Sequence, residues 1–516
     1  MSETLYLYRF EAKGLQQFIF QTNRLREIKG GSLLIEQLGE LLRVAHAALP
    51  GEGGDEQPMV AAGGATIVFQ TRARAEAFVA TWPVIVSRYV PGLQVVQAFV
   101  ALDGEDAWGR LQRALHVERQ RLEVVLPEVG PQILRAARTG LPAQQRARSE
   151  EADLPRELQD KGLARRARCG HDSRRDPVGE RIAPGQQWAF ELGELGVSYA
   201  AIVHIDGNDL GDRLRRLAQV ESGEPVERIV ERLMCFSEAL SEVTELAARA
   251  GYEAIVRSYD RSGVLPARPV VLGGDDITMI LRASDAMGFT RAYLQCFERE
   301  SEARAEVLGG ALSACAGIAF AQTTYPFDRA CVLAEELCAF SKSRLRGAGA
   351  QRQTPSALAF HRVTTSATGS YAEILDTELR GEDAAHMLTA GPYTLEPVEG
   401  YATIQNLQAL TGAICGLPHG PTREVLSLMK FATDRAALRW RRLGEVSKDS
   451  AASHRSWGEV IQTLELMGCD EGGWRTERAG GQRTPLLDAW SLFVSEGKQE
   501  REQQVGELAD MRGDCL

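Results

Sequence analysis

Two adjacent aspartates, Asp275 and Asp276, directly follow a pair of glycines near the middle of the chain. Mainly apolar residues at 270–272 and 277–281 flank this group and predict two short buried strands that meet at a Gly-Gly turn. The turn would present both carboxylates at the edge of a sheet, where they repel each other. The pairing favours a hard divalent cation, Mg2+ or Mn2+, between the carboxylates and a triphosphate. A solvated turn is the competing interpretation.

Asp206 adds a third carboxylate at the end of an apolar run that begins at residue 197 and predicts a buried central strand. Ligands bind at the carboxyl ends of strands in such sheets, so Asp206 is expected beside the hairpin if the two strands are neighbours. Three carboxylates suit a two-metal site that activates a 3′-hydroxyl and neutralises a triphosphate. Glycines let the backbone approach the phosphates closely, and those expected to do so are Gly207, Gly211, Gly273 and Gly274.

Lys342 lies on a predicted helix at 327–344 and is expected to contact the triphosphate, with a solvated helix lysine as the alternative. His204 precedes Asp206 inside the apolar strand and is interpreted as a core histidine. No Walker A loop, dinucleotide-binding glycine fingerprint or zinc-protease helix motif occurs in the sequence. The predicted chemistry therefore depends on the aspartates.

One order of elements is predicted twice, as an α+β fold with two ferredoxin-like domains. In the first copy the second helix is predicted to begin near Ser32, a natural N-cap. The other elements of that copy are a strand from residue 5, a hairpin at 60–69, a helix at 73–88, a strand at 93–102 and a helix at 105–125. The second copy has a strand at 197–205, helices at 213–220 and 225–250, the aspartate hairpin, a helix at 283–304, a strand at 312–321 and a helix at 327–344.

The two copies differ in their acidic residues. Aligned on the glycine turns, Gly63-Gly64-Ala65-Thr66 takes the place of Gly273-Gly274-Asp275-Asp276. A turn alone would not require aspartates in one copy and tolerate their absence in the other. The comparison therefore favours one catalytic and one structural copy.

The whole chain is predicted to divide into four segments. They are a degenerate first domain at 1–128, an Arg-rich linker or small inserted domain at 129–186, the catalytic domain at 187–364 and a helical C-terminal domain at 365–516. In the last, further helices are expected at 457–467 and 486–496. A helix after the breaker at 419–421 is expected to place on one face Val425, Leu428, Met429, Ala432, Ala436 and Trp440. The arginines between 134 and 181 predict either a local basic patch or a solvated linker.

Composition sets outer limits on function. A chain of 516 residues with 44% hydrophobic and 25% charged residues is typical of a folded protein with several domains. No apolar run approaches the roughly 18 residues of a membrane span and no signal peptide is evident, so a cytoplasmic protein is expected. Nine cysteines without a C-x-x-C pair predict neither a disulfide framework nor a four-cysteine zinc site. The net charge of −11 argues against a surface that clamps nucleic acid everywhere.

The motifs together resemble the large polymerase-cyclase subunit of type III CRISPR effector complexes, the Csm and Cmr family. They are Asp206-Gly-Asn-Asp-Leu-Gly211, Gly273-Gly-Asp-Asp276, 312–318 and Ser341-Lys342, together with 14–20 and 25–32 in the first copy. The resemblance implies two palm domains and a synthase that joins ATP into cyclic oligoadenylate through 3′–5′ bonds when the complex holds target RNA. It also implies that Asp206, Asp275 and Asp276 are the metal ligands, and that other effector subunits and guide and target RNA are partners.

Three departures from the family pattern qualify this expectation. Asn208, counted here among the nucleotide-binding residues, stands where the family often has a second aspartate, so the ligand set is thinner or Asp209 substitutes. The chain begins directly with the first palm, without the His-Asp nuclease domain of many members, so cleavage of single-stranded DNA is not expected. The zinc-binding cysteines between the palms are reduced to Cys169.

Two other functions stay open at the level of sequence. One is a stand-alone cyclase, related to minimal CRISPR-like polymerases or to GGDEF diguanylate cyclases, which could work as a homodimer. The other is a non-catalytic scaffold that binds nucleotide or RNA and has kept Asp275 and Asp276 by chance. The duplicated palm and the helical domain favour an assembly subunit, because a lone cyclase would not need them.

Overall fold

The structure, a computed structural model, describes most of the chain. The described residues are 5–22, 24–51, 56, 58–61, 63–102, 107–121, 132–146, 158–171, 176–196, 199–217, 226–259, 263–348, 353–365, 369–477 and 480–497. Residues 498–516 of the predicted C-terminal domain, and Arg148, Arg174 and Arg175 of the Arg-rich stretch, lie outside these ranges. None of the described helices is long and apolar enough to cross a membrane.

The first palm is a four-stranded sheet with helices. Its elements are β1 (Tyr6–Lys13), α1 (Leu15–Ile19), α2 (Leu25–Ala47), β2 (Met59–Ala61), β3 (Gly64–Phe69), α3 (Arg72–Tyr89), β4 (Gln94–Ala101) and α4 (Ala107–Gln120). A connecting region follows, with β5 (Gln145–Arg146), β6 (Leu158–Gln159), α5 (Lys161–His171), α6 (Pro177–Ile182) and β7 (Gln187–Trp188). The strand order in the first sheet is β2-β3-β1-β4.

The second palm repeats this arrangement. Its elements are β8 (Tyr199–Gly207), α7 (Leu210–Leu217), α8 (Val226–Val256), β9 (Val264–Leu265), β10 (Ala267–Gly273), β11 (Asp276–Arg282), α9 (Ala283–Ala303), α10 (Ala305–Leu308), β12 (Ala314–Gln322), α11 (Phe327–Leu345) and β13 (Ala357–Arg362). Its sheet runs β10-β11-β8-β12-β13-β15, where β15 is Tyr393–Thr394 of the C-terminal region. The first four strands have the order of the first sheet. The predicted α+β fold with a duplicated palm is confirmed.

The C-terminal region is mainly helical. Its elements are α12 (Tyr371–Thr377), β14 (His386–Met387), β15 (Tyr393–Thr394), α13 (Ile404–Cys415), α14 (His419–Phe431), α15 (Thr433–Val446), α16 (Ala451–Leu466), β16 (Arg475–Thr476), β17 (Gln482–Arg483) and α17 (Leu486–Glu496). The single helix predicted across 425–440 is wrong, because the chain leaves helical geometry at Ala432 (φ −158°, ψ 75°). The predicted breaker at 419–421 is instead the first turn of α14. Backbone N–H groups in the first turn have no carbonyl acceptor within the helix, so proline, which lacks this N–H, is tolerated at position 421.

The strand register corrects the alignment of the two copies. Gly64 pairs with Glu11 as Asp276 pairs with Asp206. The Ala12 N–H donates to the Gly63 carbonyl (2.6 Å) as the Gly207 N–H donates to the Asp275 carbonyl (3.2 Å). Gly63 and Gly64 therefore occupy the positions of Asp275 and Asp276, two residues away from the predicted match. The first copy still lacks both hairpin carboxylates.

The predicted N-cap at Ser32 is also wrong, because α2 begins at Leu25 and Ser32 lies inside it. Ser32 is buried, and its hydroxyl donates to the Val270 carbonyl of the second palm. Gly30 marks a close helix crossing, since a Cβ there would lie 1.9 Å from the Arg166 carbonyl of α5. These interdomain contacts explain why α2 is longer than its local pattern predicts.

The arginines of the connecting region pack the two palms together. Arg166 is 1% exposed and donates to the Phe18 carbonyl (2.6 Å). Arg181 forms ion pairs with Glu36 of the first palm and Glu245 of the second. For these arginines both the basic patch and the solvated linker are wrong, since their charges are used inside the fold.

One hydrophobic core is shared by the two palms. It contains Phe10 and Ile67 of the first sheet and Ile202 and Ile280 of the second. Burying aliphatic side chains of this size contributes about 1.5–3 kcal/mol each. Packing against the first palm therefore stabilises the second palm.

A buried carboxyl group, Asp488, ties α17 to the loop before β15. Its Oδ2 accepts hydrogen bonds from the Tyr393 O–H (2.5 Å), the Ala390 N–H (2.9 Å) and the Thr389 O–H (3.0 Å). Burial raises the pKa of Asp488 to about 6, although those three donors lower it. Because the folded-state pKa lies above the ordinary value of 3.8, the folded protein binds this proton more tightly than the unfolded chain.

The free energy of unfolding should therefore fall as the pH rises from about 4 to about 6. We expect Asp488→Asn, which keeps an acceptor oxygen, to reduce that fall by about 1–2 kcal/mol. Urea unfolding at both ends of this window measures it, and an unchanged pH dependence would contradict the assignment. Asp488→Ala should instead lower stability by about 3 kcal/mol at both pH values, because three donors lose their acceptor.

Candidate active site

Asp206 and Asp276 face each other across two neighbouring strands. The residues from Ala200 to Ile205 are buried, as the apolar run predicts, and Asp206 follows them near the end of β8. Asp276 is the first residue of β11 and pairs in register with Asp206. The two carboxylates are therefore brought to one end of the sheet by strand pairing, as the sequence predicts.

Asp275 lies in the turn between β10 and β11. Gly273 pairs with Asp276, so Gly274 and Asp275 form a two-residue turn. Gly274 has φ 51°, a left-handed conformation that glycine adopts readily. The Thr244 hydroxyl of α8 donates to the Gly274 carbonyl (2.8 Å) and fixes the turn from below. Thr244 was missed by the sequence reasoning, although it is a lone threonine among the buried Val243, Ala247 and Ala248 of its helix.

The hairpin carboxylates are partly buried. Burial, then Asp206 and Asp276, raise the pKa of Asp275 well above its ordinary value. Burial, then Asp206, raise the pKa of Asp276 to about 7. In the described part of the chain no lysine or arginine forms an ion pair with Asp275 or Asp276. The site therefore has an excess of negative charge.

Lys342 supplies the positive charge that does reach these residues. Its Nζ donates to Asp206 Oδ2 (2.6 Å) and to the Gly207 carbonyl (2.7 Å). Burial by itself lowers the pKa of Lys342, but Asp206 and neighbouring thiols raise it overall. The solvated helix lysine is wrong, while contact with a triphosphate stays a prediction.

The side chains do not form a ready metal cage. Within the described ranges, no group of three or more His, Cys, Asp or Glu residues is arranged to hold a metal ion. The donor chemistry nevertheless fits a hard divalent cation, because the unpaired groups are carboxylate oxygens. Metal binding by Asp206, Asp275 and Asp276 therefore stays a proposal.

The predicted glycines differ in what surrounds them. A Cβ on Gly207 would lie 2.6 Å from Leu210 Cδ1 and 3.2 Å from Asp275 Cβ, so this glycine lets the hairpin approach β8. A Cβ on Gly211, in the first turn of α7, would meet nothing within 4 Å. Gly273 ends β10. Whether any of them contacts phosphate is still a prediction.

Asn208 turns away from the carboxylates. It is buried, and its Nδ2 donates to Ser313 Oγ (3.0 Å) and to the Thr354 carbonyl (3.4 Å), while its Oδ1 has no hydrogen-bond partner among the described residues. The neighbouring Asp209 is exposed and accepts a hydrogen bond from the Thr354 N–H (3.2 Å). Both residues thus hold the loop at Thr354, and no contact of Asp209 with the other aspartates supports its substitution as a ligand.

His204 is buried on the same strand as Asp206. Gln16 Nε2 of the first palm lies 3.1 Å from its Nδ1, as does Thr278 Oγ1 of β11. Burial lowers its pKa to about 4. The interpretation as a core histidine agrees with this burial, and Gln16 is a contact between palms that local sequence cannot indicate.

A separate groove of about 300 Å3 lies in the C-terminal region. Its lining residues are Glu378, Leu388, Arg423, Leu426, Ser427, Lys430, Phe431, Leu487 and Trp490. None of the predicted site residues lines it, so the candidate site rests on the strand-end carboxylates.

Known proteins resemble this arrangement. The family model described as Cas10/Cmr2, second palm domain, matches residues 199–348. The solved structure of Csm1 in T.onnurineus is similar, with 14% identity over 96% of this chain and 70% of that chain and a TM-score of 0.52. No curated protein sequence matches.

Two complexes align less well. The Csm1-Csm4 cassette in complex with cA3 gives 13% identity, coverage of 96% of this chain and 70% of that chain, and a TM-score of 0.48. The cassette in complex with cA4 gives 13% identity and a TM-score of 0.41 over 66% of this chain. The chain spans about half, 53%, of that cassette's matched chain. Residues 199–348, which contain Asp206, Asp275, Asp276 and Lys342, therefore resemble the second palm domain of Cas10/Cmr2.

Proposed function

We propose that the chain is a metal-dependent nucleotidyltransferase that joins ATP into a cyclic oligonucleotide, as the signalling subunit of a type III CRISPR effector complex. The observation that supports this best is the register of Asp206 with Asp276, with Asp275 in the adjoining turn. The corresponding strand pair in the first palm joins Glu11 to Gly64, so it carries a single carboxylate. We therefore assign the chemistry to the second palm.

Asp206, Asp275 and Asp276 would hold the divalent cations, Mg2+ or Mn2+. Three carboxylates and one ammonium leave two negative charges if all are ionised, and a divalent cation balances them. When bound, such cations supply the activation of a 3′-hydroxyl and the neutralisation of a triphosphate. The protein then needs little acid and base chemistry of its own, because positioning and charge neutralisation account for most of the catalysis.

The chain's own residues would do the positioning. Thr244 and Gly274 fix the turn, and Gly207 allows the turn to lie against β8. Lys342 holds the Asp206 carboxylate and would add a positive charge beside the triphosphate. Adenine as the base, ring closure, and guide and target RNA and other effector subunits as partners come from the family resemblance.

Product analysis tests the proposal. The intact protein, alone and with partner subunits and target RNA, is given ATP with Mg2+ or Mn2+, and its products are separated by ion-exchange chromatography and mass spectrometry. Pyrophosphate release with a cyclic oligonucleotide product is expected in at least one condition. Asp275→Asn should abolish it, whereas Glu11→Gln, at the first-palm position that corresponds to Asp206, should leave it intact. No release in any condition, or equal release by Asp275→Asn, would leave the non-catalytic scaffold as the better account.

Lys342→Met tests the role of the ammonium group. Methionine keeps much of the length of the side chain but removes the charge, so Asp206 loses its cation. We expect the rate of pyrophosphate release to fall by about 10²-fold, because a positive charge close to the reacting phosphates is lost. Steady-state kinetics at saturating Mg2+ measure this. A rate within about twofold of the intact protein would show that Lys342 only packs against the strand.

A further inference from the structure

Three residues from different elements form a hydrogen-bonded chain next to the candidate site. Cys331 Sγ of α11 lies 2.6 Å from Gln16 Oε1, and Gln16 Nε2 lies 3.1 Å from His204 Nδ1. Gln16 belongs to α1 of the first palm, whereas the other two residues belong to the second. The chain therefore crosses the boundary between the palms.

The donors in this chain define the orientation of each group. A thiol donates its hydrogen, and the contact of Cys331 with Gln16 is much shorter than its 3.8 Å contact with Glu335. Gln16 Oε1 is thus the acceptor, so its amide nitrogen faces His204 as a donor. Thr278 Oγ1 lies 3.1 Å from the same ring nitrogen. His204 Nδ1 must therefore carry the lone pair, and the ring proton must be on Nε2.

The Nε2–H group has no acceptor in the part of the chain that the structure describes. It makes no hydrogen bond within the described residues, and its nitrogen is not fully buried. The residue keeps 8% of its surface exposed. The Nε2–H group therefore faces solvent, whereas the Nδ1 side of the ring contacts Gln16 and Thr278.

The position of this donor is close to Asp206. Residues two apart on a strand point to the same face, so His204 and Asp206 share the face on which Gln16 and Cys331 lie. Two residues of strand span roughly 7 Å. A triphosphate at the carboxylates would thus leave its ribose or base within reach of His204.

We propose that His204 binds the nucleoside part of the substrate through Nε2–H, and that Gln16 and Cys331 fix the ring in this tautomer. The identity of the ligand in this inference rests on the proposed function, whereas the tautomer of the His204 ring does not. His204 acts as a binding residue, while Gln16 and Cys331 position it. The first palm thereby sets a hydrogen-bond donor in the site of the second.

The tautomer can be measured without any ligand. In the intact protein with 15N-labelled histidine, the His204 resonances are assigned by their loss in His204→Gln, and their shifts report which nitrogen is protonated. We expect the Nε2–H form in the intact protein and in Cys331→Ser, which keeps the donor. Gln16→Leu should give a mixture of tautomers. An Nδ1–H ring in the intact protein would overturn the proposal.

Binding is tested with ATP and with inorganic tripolyphosphate, each with Mg2+, by calorimetry. In His204→Gln the amide nitrogen reaches the place of Nε2, whereas in His204→Asn it reaches only the place of Nδ1. We expect His204→Asn to bind ATP about 10-fold more weakly, through loss of one hydrogen bond, and His204→Gln to bind within about threefold of the intact protein. Tripolyphosphate should bind all three alike, and thermal melts show whether each variant is folded.

The outcomes separate this inference from the proposed function. If the intact protein binds ATP and His204→Asn binds it equally well, the inference fails and the proposed function stands. If His204→Asn weakens ATP and tripolyphosphate to the same extent, the donor does not face the nucleoside. If the intact protein binds no ATP, both fail.

Discussion

Asp276→Asn is expected to slow pyrophosphate release from ATP severely and, without divalent cations, to make the protein more stable. The carboxylate is partly buried and is repelled by Asp206, which together raise its pKa to about 7. Asparagine removes the charge and keeps the shape, so we expect a gain of about 1–3 kcal/mol in the free energy of unfolding. The rate should fall on the order of 10²–10³-fold, because the charge that would hold the cation is lost.

Thermal melts with and without Mg2+ separate the two effects. Mg2+ should raise the melting temperature of the intact protein by mass action and should raise that of Asp276→Asn much less. A variant that is less stable than the intact protein without Mg2+ would show that the carboxylate makes a favourable structural contact. A variant that keeps the full rate would remove Asp276 from the site.

Gly317→Ala is expected to damage both stability and activity although residue 317 carries no functional group. Gly317 of β12 pairs with His204, and α11 crosses it so closely that a Cβ would lie 1.9 Å from the Ala334 carbonyl and 2.6 Å from the Cys338 nitrogen. These are backbone atoms, so the helix must move. We expect a loss of about 3 kcal/mol or more. Because α11 also carries Lys342, its displacement should lower the rate of pyrophosphate release.

Gly288→Ala is the matched control. Gly288 is exposed on α9, and a Cβ there would meet nothing within 4 Å. Alanine should therefore stabilise the helix by about 0.5–1 kcal/mol. Denaturant unfolding of both variants measures the difference. Equal stability of the two variants would contradict the close packing of α11 on β12.

The sequence predicts the main parts of the candidate site because they depend on local patterns. The apolar run before Asp206 and the apolar flanks of Asp275 and Asp276 indicate strands, and the turn follows from the glycines. With the condition that the two strands are neighbours, these signals predict that the three aspartates come together at one end of a sheet. The pairing of β8 with β11 shows that the condition holds.

The errors arise where contacts between distant residues decide the structure. Ser32 looks like a cap, but its partner Val270 is 238 residues away. Gly63 and Gly64 match the glycines of the second hairpin in type, but strand register places them at the positions that Asp275 and Asp276 occupy in the second copy. Lys342 and Gln16 reach residues 136 and 188 positions away, and no spacing in one sequence reveals such pairs.

Binding of Mn2+ to the intact protein tests the central claim most directly. Electron paramagnetic resonance counts free Mn2+ during titration, with and without ATP, for the intact protein, an Asp275→Asn/Asp276→Asn variant and Glu11→Gln. The account predicts tight Mn2+ binding by the intact protein and by Glu11→Gln, stronger with ATP, and its loss in the double variant. Equal Mn2+ binding by the double variant and the intact protein would contradict it.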